Sequence, residues 1–177
     1  MDRNELSSQA SEQGTNLNRY TVIPRTLIFI FDQDSVLLLK GSADKKLWAG
    51  KFNGIGGHVE PGEDLMASAN RELFEESGIK NVDLHFCGEI LVDPGSAPGV
   101  AIHIFKGETH NSSIQGSQEG QLSWIAMNKI ESFQLVKDLY TILPRVYKWK
   151  LGDEVLLGLT NYQSGEMVVS FSDSGRR

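Results

Sequence analysis

Residues 57–79 read GHVEPGEDLMASANRELFEESGI, a glycine-bearing loop that runs into an amphipathic helix of unusual charge. A helix turns about 100° per residue, so positions three and four apart share one face. Glu72, Glu75 and Glu76 are therefore crowded into one arc. Like charges at that spacing repel and destabilise a bare helix. A solvated helix would interleave lysines, yet Arg71 is the only basic residue nearby. Hard cations such as Mg²⁺ and Mn²⁺ take oxygen ligands, and Mg²⁺ is often shared with substrate phosphates. The cluster reads as a divalent-metal site for a phosphorylated substrate. Leu65, Ala69 and Leu73, with Met66 and Phe74, form the apolar side. Glu63 or Asp64 can cap the helix start, and Gly78 suits a left-handed cap at its end.

The rest of the chain limits the partners. Its 177 residues suit one domain with a real core. A net charge of -6 argues against a nucleic-acid polymer, whose phosphates need a basic face. It does not argue against a nucleotide, whose charge bound metal can meet. Cys87 is the only cysteine, so no intrachain disulfide exists; it reads as a small buried hydrophobe, and a cytoplasmic location is the simplest fit. No apolar run is long enough to span a bilayer, and no signal peptide is evident. The sequence holds no Walker loop, Ser-His-Asp set or CxxC pair.

Composition predicts a polar, disordered tail over residues 1–18, a single domain over 19–172 and a second tail over 173–177. Strands are expected at 26–31 and 36–39 as a hairpin, then at 51–57, 82–92, 100–105 and 121–126. A helix is expected over 133–147, kinked or ended by Pro144. Residues 155–159 and 166–171 read as a final hairpin. Leu47 and Trp48, in the loop 41–50, either wall a pocket or pack beneath the loop. The pattern alone gives an α/β or α+β fold.

The 57–79 stretch resembles the Nudix box, G-x5-E-x7-R-E-U-x-E-E-x-G-U, where U is aliphatic. Gly57, Glu63, Arg71, Glu72, Leu73, Glu75, Glu76, Gly78 and Ile79 fill its fixed positions. The resemblance implies an α/β/α sandwich with a mixed β-sheet. It implies Mg²⁺, with Mn²⁺ as a substitute, held by Glu72, Glu75, Glu76 and the Gly57 carbonyl. Glu63 and Arg71 would be a structural pair, and the general base stays with the glutamate cluster as a group. Glu119, five residues before Trp124, resembles a further metal-binding glutamate of relatives acting on oxidised purine nucleotides. An ordinary loop glutamate is its alternative.

LWAGKFNGIGGHVEPGE resembles the strand and loop of MutT-like 8-oxo-dGTP diphosphatases, which places Asn53 at the nucleobase. LVKDLYTILPRVY resembles their later helix, with Asp138 matching an acidic residue that reads the purine. Val136 and Leu139 stand where relatives carry an aromatic and a second acid. Asn53 also fits a turn residue bonded to its own backbone, and Asp138 a solvated helix position. The implied activity is Mg-dependent hydrolysis of nucleoside triphosphates, oxidised purines such as 8-oxo-dGTP, to monophosphate and pyrophosphate. The alternatives are Nudix hydrolysis of ADP-ribose, dinucleoside polyphosphates or ordinary dNTPs, and a non-catalytic nucleotide sensor. His58 follows the glycines where many relatives have lysine, and is expected to face solvent or pack.

Overall fold

The computed structural model describes residue 14 and residues 19–42, 48–110, 114, 120–163 and 165–172. The expected tails, apart from Gly14, lie outside these residues, as do Leu47 and Glu119. In chain order the elements are β1 (Val22–Asp32), β2 (Ser35–Gly41), β3 (Phe52–Asn53), α1 (Leu65–Ser77), β4 (His85–Val92) and β5 (Gly99–Glu108). There follow β6 (Gly120–Ala126), a 3₁₀ turn at Met127–Ser132, α2 (Leu139–Lys148), β7 (Leu156–Gln163) and β8 (Glu166–Phe171).

The run from Leu27 to Phe31 is apolar without interruption. Side chains alternate across a strand, so such a run demands cover on both faces. Leu27, Phe29 and Phe31 join one core cluster, and Ile28 and Ile30 the other. β2 divides in the same way, with Val36 and Leu38 on one side and Leu37 and Leu39 on the other. Each face then needs its own layer. Ala69 and Leu73 of α1 cover the second cluster, while Ile142, Leu143 and Val146 of α2 cover the first. The three-layer sandwich around a mixed sheet is therefore present. Cys87 is fully buried in the first cluster, and that burial pushes its thiol up to about 12. Among the described residues, no helix is long and apolar enough to cross a membrane.

The sheet curls, and the curl makes room for the glycine loop. β1 runs parallel to β5, β5 antiparallel to β4, β4 parallel to β7, and β7 turns back as β8. β6 pairs with the whole of β2. The other edge of β2 leaves β1 after Phe31↔Val36 and Asp32↔Ser35, and meets β3 at Lys40↔Phe52. Residues 52–59 fill the wedge between the two strands. Ile28 and Ile55 exchange backbone hydrogen bonds of 2.7 and 3.2 Å, and Thr26 N–H donates to the Gly57 carbonyl at 2.9 Å. Farther along, Val59 N–H donates to the Pro24 carbonyl at 3.2 Å.

Two local expectations need correction. The helix predicted from residue 133 begins at Leu139. Residues before it are captured by β3: Phe52 N–H donates to Gln134 O at 2.8 Å, and Val136 N–H donates back to Phe52 O at 2.9 Å. Backbone bonding to a sheet edge overrides the helical periodicity of that stretch. Pro144 does not end α2, which continues to Lys148. The carbonyl that loses its partner belongs to Tyr140, an exposed residue, so water can serve it. The far end of α2 is held by Lys106 of β5, whose Nζ donates to the Tyr147 and Trp149 carbonyls at 3.1 and 2.7 Å. A cation there also favours the helix dipole.

Phe29 is fully buried at the heart of the first cluster. Phe29→Ala is expected to lower unfolding free energy by about 3–5 kcal/mol, the range for deleting a buried aromatic ring. Urea unfolding monitored by tryptophan fluorescence would measure it; a loss below about 1 kcal/mol would remove Phe29 from that role.

Candidate active site

The helix N-terminus is set by Asp64, whose Oδ1 accepts from Ala67 N–H at 2.8 Å. Gly78 closes the other end with φ 71°. Between these caps, Arg71 answers the repulsion expected among the glutamates. Its Nε donates to Glu63 Oε2 at 3.0 Å and its Nη2 to Glu63 Oε1 at 2.6 Å, a two-pronged pair. Nη1 reaches Glu72 Oε1 at 2.9 Å and Glu75 Oε2 at 3.1 Å. Nη2 also donates to the His58 carbonyl at 3.1 Å. One guanidinium thus ties the loop, the helix start and two carboxylates of the cluster. The Arg71 fork, with Glu60 N–H behind it, holds the Glu63 carboxyl down at about 2. Glu63 raises Arg71 in turn.

Glu72 and Glu76 turn toward the glycines. A Cβ on Gly57 would lie 2.2 Å from Glu72 Oε1, so the missing side chain is the space the carboxylate fills. Glu76 is 4% exposed and its Oε2 accepts from Gly56 N–H at 3.1 Å. Gly56 has φ 141°, and a Cβ there would fall 2.3 Å from the Thr26 carbonyl; only glycine fits. Glu75 stands apart, half exposed on the outer side of Arg71. Among the described residues, no three His, Cys, Asp or Glu side chains are grouped closely enough to hold a metal ion. Glu119 is outside those residues.

Sequence reasoning missed Arg25. Burial pushes its pKa down, and the charges of Glu72 and Glu76 push it back up. On its other side its guanidinium lies 5.5 Å from the centre of the Trp48 ring. Its one signal was a lone cation at the head of an apolar strand.

Arg25 and Gly56 also line a cavity of about 320 Å³. Trp48 and Asn53 form its loop side, Val136 and Asp138 its helix side, and Thr160, Tyr162 and Met167 the hairpin side. The fold thus brings Asn53 and Asp138 to one space, beside the carboxylate helix. Trp48 walls this pocket and is 37% exposed. Asn53 Oδ1 accepts from Gly54 N–H at 2.9 Å, so the turn role is real. That bond leaves its amide nitrogen, a donor, for the cavity. Asp138 is not a solvated helix position: its Oδ1 is buried without a hydrogen-bond partner. Burial pushes its carboxyl up, and the backbone amides of Asp138 and Leu139 pull it partly back. The sequence ended the first strand of this hairpin at 159, whereas β7 runs on to Gln163 and so carries Thr160 and Tyr162 to the cavity. His58 contributes its carbonyl to Arg71 and a bridge to Arg25 in the sheet wedge.

The NUDIX domain family matches residues 22–149. The chain is 31% identical over 145 residues to the oxidized purine nucleoside triphosphate hydrolase of Danio rerio, covering 81% of this chain and 89% of that one. It is 30% identical over 148 residues to the protein of the same name from Mus musculus, covering 83% and 91%. A crystal structure of a MutT protein from Bacillus halodurans superposes with a TM-score of 0.72 at 23% identity, covering 85% of this chain and 98% of that one.

The Glu63–Arg71 fork makes a pH prediction. A folded value of about 2 against an ordinary 4.5 means the group stabilises the fold at neutral pH. That contribution is lost as pH falls from 4.5 toward 2. Glu63→Gln is expected to be less stable than wild type at pH 7, with the gap closing as pH drops through this window. Urea midpoints of both proteins from pH 7 downward would check it; a gap independent of pH would refute the charged fork.

Proposed function

The chain belongs to the Nudix family, and on that premise we propose that this Nudix hydrolase cleaves oxidised purine nucleoside triphosphates, 8-oxo-dGTP among them, to monophosphate and pyrophosphate. The observation that carries the reading is the cavity lined by Asn53, Asp138 and Gly56, the last of which holds the Glu76 carboxylate through its amide. Ligand pockets span about 300–1,000 Å³. At about 320 Å³ this one suits a nucleobase and not a whole triphosphate. The phosphates then extend past Gly56 toward Glu72 and Glu76. The names of the two vertebrate relatives point the same way.

Nudix hydrolases work with divalent cations, and the donor set here suits a hard one. Two carboxylates lie against the glycine loop, Glu72 in the space a Gly57 side chain would take and Glu76 on the Gly56 amide. Glu72, Glu75, Glu76 and the Gly57 carbonyl would hold Mg²⁺, with Mn²⁺ as a substitute; Glu119 is the proposed further ligand. Bound there, the metal would offset phosphate charge and lower the pKa of a water.

The protein's own groups do the rest. Arg71 fixes Glu72 and Glu75 against the loop, and Glu63 fixes Arg71. The Gly56 amide holds Glu76. A carboxylate of this cluster takes the proton of the attacking water. Asn53 offers its amide N–H to the base. Asp138, held toward its neutral form by burial, can donate as well as accept. Such a pair suits an oxidised purine, whose edge differs from guanine in donors and acceptors. A single buried cysteine and no disulfide are the grounds for placing this activity in the cytoplasm.

Glu76→Gln can still accept from Gly56 N–H, so the fold is expected to survive. Activity should fall by about two to four orders of magnitude, and stabilisation by added Mg²⁺ should shrink. Near wild-type turnover in that variant would sink the carboxylate assignment. A panel of 8-oxo-dGTP, dGTP, ADP-ribose and a diadenosine polyphosphate, with products separated by chromatography, tests the substrate. Asn53→Ala and Asp138→Ala should each lower kcat/KM for 8-oxo-dGTP much more than for dGTP, because the partner left behind is buried and unpaired. A wild type that prefers another member of the panel would replace the substrate reading and leave the family intact.

A further inference from the structure

The cavity wall opposite the glycine loop comes from β7 and β8, beyond residue 149, where the family match ends. Thr160 on β7 is 1% exposed and lines the cavity. Its backbone sits in register with Val92 on β4 and Val169 on β8, and its carbonyl accepts from Asp93 N–H at 2.8 Å. Its hydroxyl is not engaged, for the buried Oγ1 has no hydrogen-bond partner. The strand neighbours in register are valines and offer only methyl groups. A valine would fill this place without the cost of an unmade bond.

Asp138 Oδ1 is the second buried oxygen of this cavity without a partner. Two orphaned polar atoms on residues that line one space are the pattern of a site whose partners arrive with a ligand. The geometry points to Thr160 as a specificity-determining residue for the base: its hydroxyl bonds the polar edge of a purine that Asn53 and Asp138 hold from the other walls. Tyr162, two residues on along the same face, and its cross-strand partner Met167 supply the apolar surface beside it. The assignment rests on the purine reading above and adds the hairpin to it.

Thr160→Val removes the hydroxyl alone and keeps a β-branched side chain suited to a strand. Thr160→Ser keeps the hydroxyl. Binding of 8-oxo-dGMP and dGMP is measured by calorimetry without metal, so hydrolysis is not needed, and thermal midpoints are recorded for the ligand-free proteins. Thr160→Val is expected to weaken the better-bound nucleotide about tenfold or more. The same variant should melt about 2–4 °C higher, since a buried unpaired hydroxyl is gone. Thr160→Ser should keep wild-type affinity within about threefold. Wild-type affinity in Thr160→Val overturns the assignment. So does a joint fall in affinity and melting point, which marks a purely structural residue. A wild type that binds dGMP as tightly as 8-oxo-dGMP defeats the oxidised-purine reading, while Thr160→Val still scores the hydroxyl on dGMP. A wild type that binds neither defeats both.

Discussion

The reciprocal backbone bonds between Ile28 and Ile55 hold the site together. They fasten residues 52–59 into the wedge where β2 leaves β1. Each feature of the site is placed from that seam. Asn53 enters the cavity just before it. Gly56 offers its amide to Glu76 just after it, and Gly57 makes room for Glu72. Arg25 and Thr26 face the same seam from β1. A hairpin that stayed zipped along its whole length would leave no gap for the loop. The early divergence of β1 and β2 is therefore as much a part of the site as the glutamates.

The two arginines divide the charge problem posed by the acidic helix. Arg71 works on the outer side, where one fork locks onto Glu63 and the remaining donors reach Glu72 and Glu75. Arg25 works on the inner side, between Glu72, Glu76 and the Trp48 ring. Any divalent cation held by Glu72 and Glu75 must compete with Arg71 for the same oxygens. The net charge of -6 thus conceals a local order in which Arg71 pairs with Glu63, Glu72 and Glu75 and Arg25 feels the charges of Glu72 and Glu76.

Much of the fold was legible because its signals are local. The β-branched and apolar runs at 26–31 and 36–39 marked strands, and Glu63 or Asp64 at one end and Gly78 at the other marked the helix. The spacing of Gly57, Glu63, Arg71, Glu72, Glu75 and Glu76 pointed to one compact cluster; the structure sets Glu72 and Glu76 against the glycines and Glu75 beyond Arg71. What stayed hidden depends on distant partners. Residues 133–138 carry helical periodicity, yet β3 claims their backbone. Thr160, Tyr162 and Met167 are ordinary strand residues until the curl of the sheet turns them toward Asn53. The second and third contacts of Arg71, with Glu72 and Glu75, follow from side-chain reach and not from the spacing that marks it as a partner of Glu63.

The ammonium of Lys106, bound to the last carbonyls around α2, sits at the opposite end of that helix from Asp138. Ten helical residues make a rod of about 15 Å. This rod is held at both ends, by Lys106 at one and by the Val136–Phe52 backbone bond beside Asp138 at the other, and a tilt of a few degrees at either would sweep the opposite tip through about 1 Å. Displacements of that size are enough to spoil a hydrogen bond at a reacting or reading group. The aim of the acid in the cavity is thus set from two strands at once, β3 beside it and β5 at the other end of its helix.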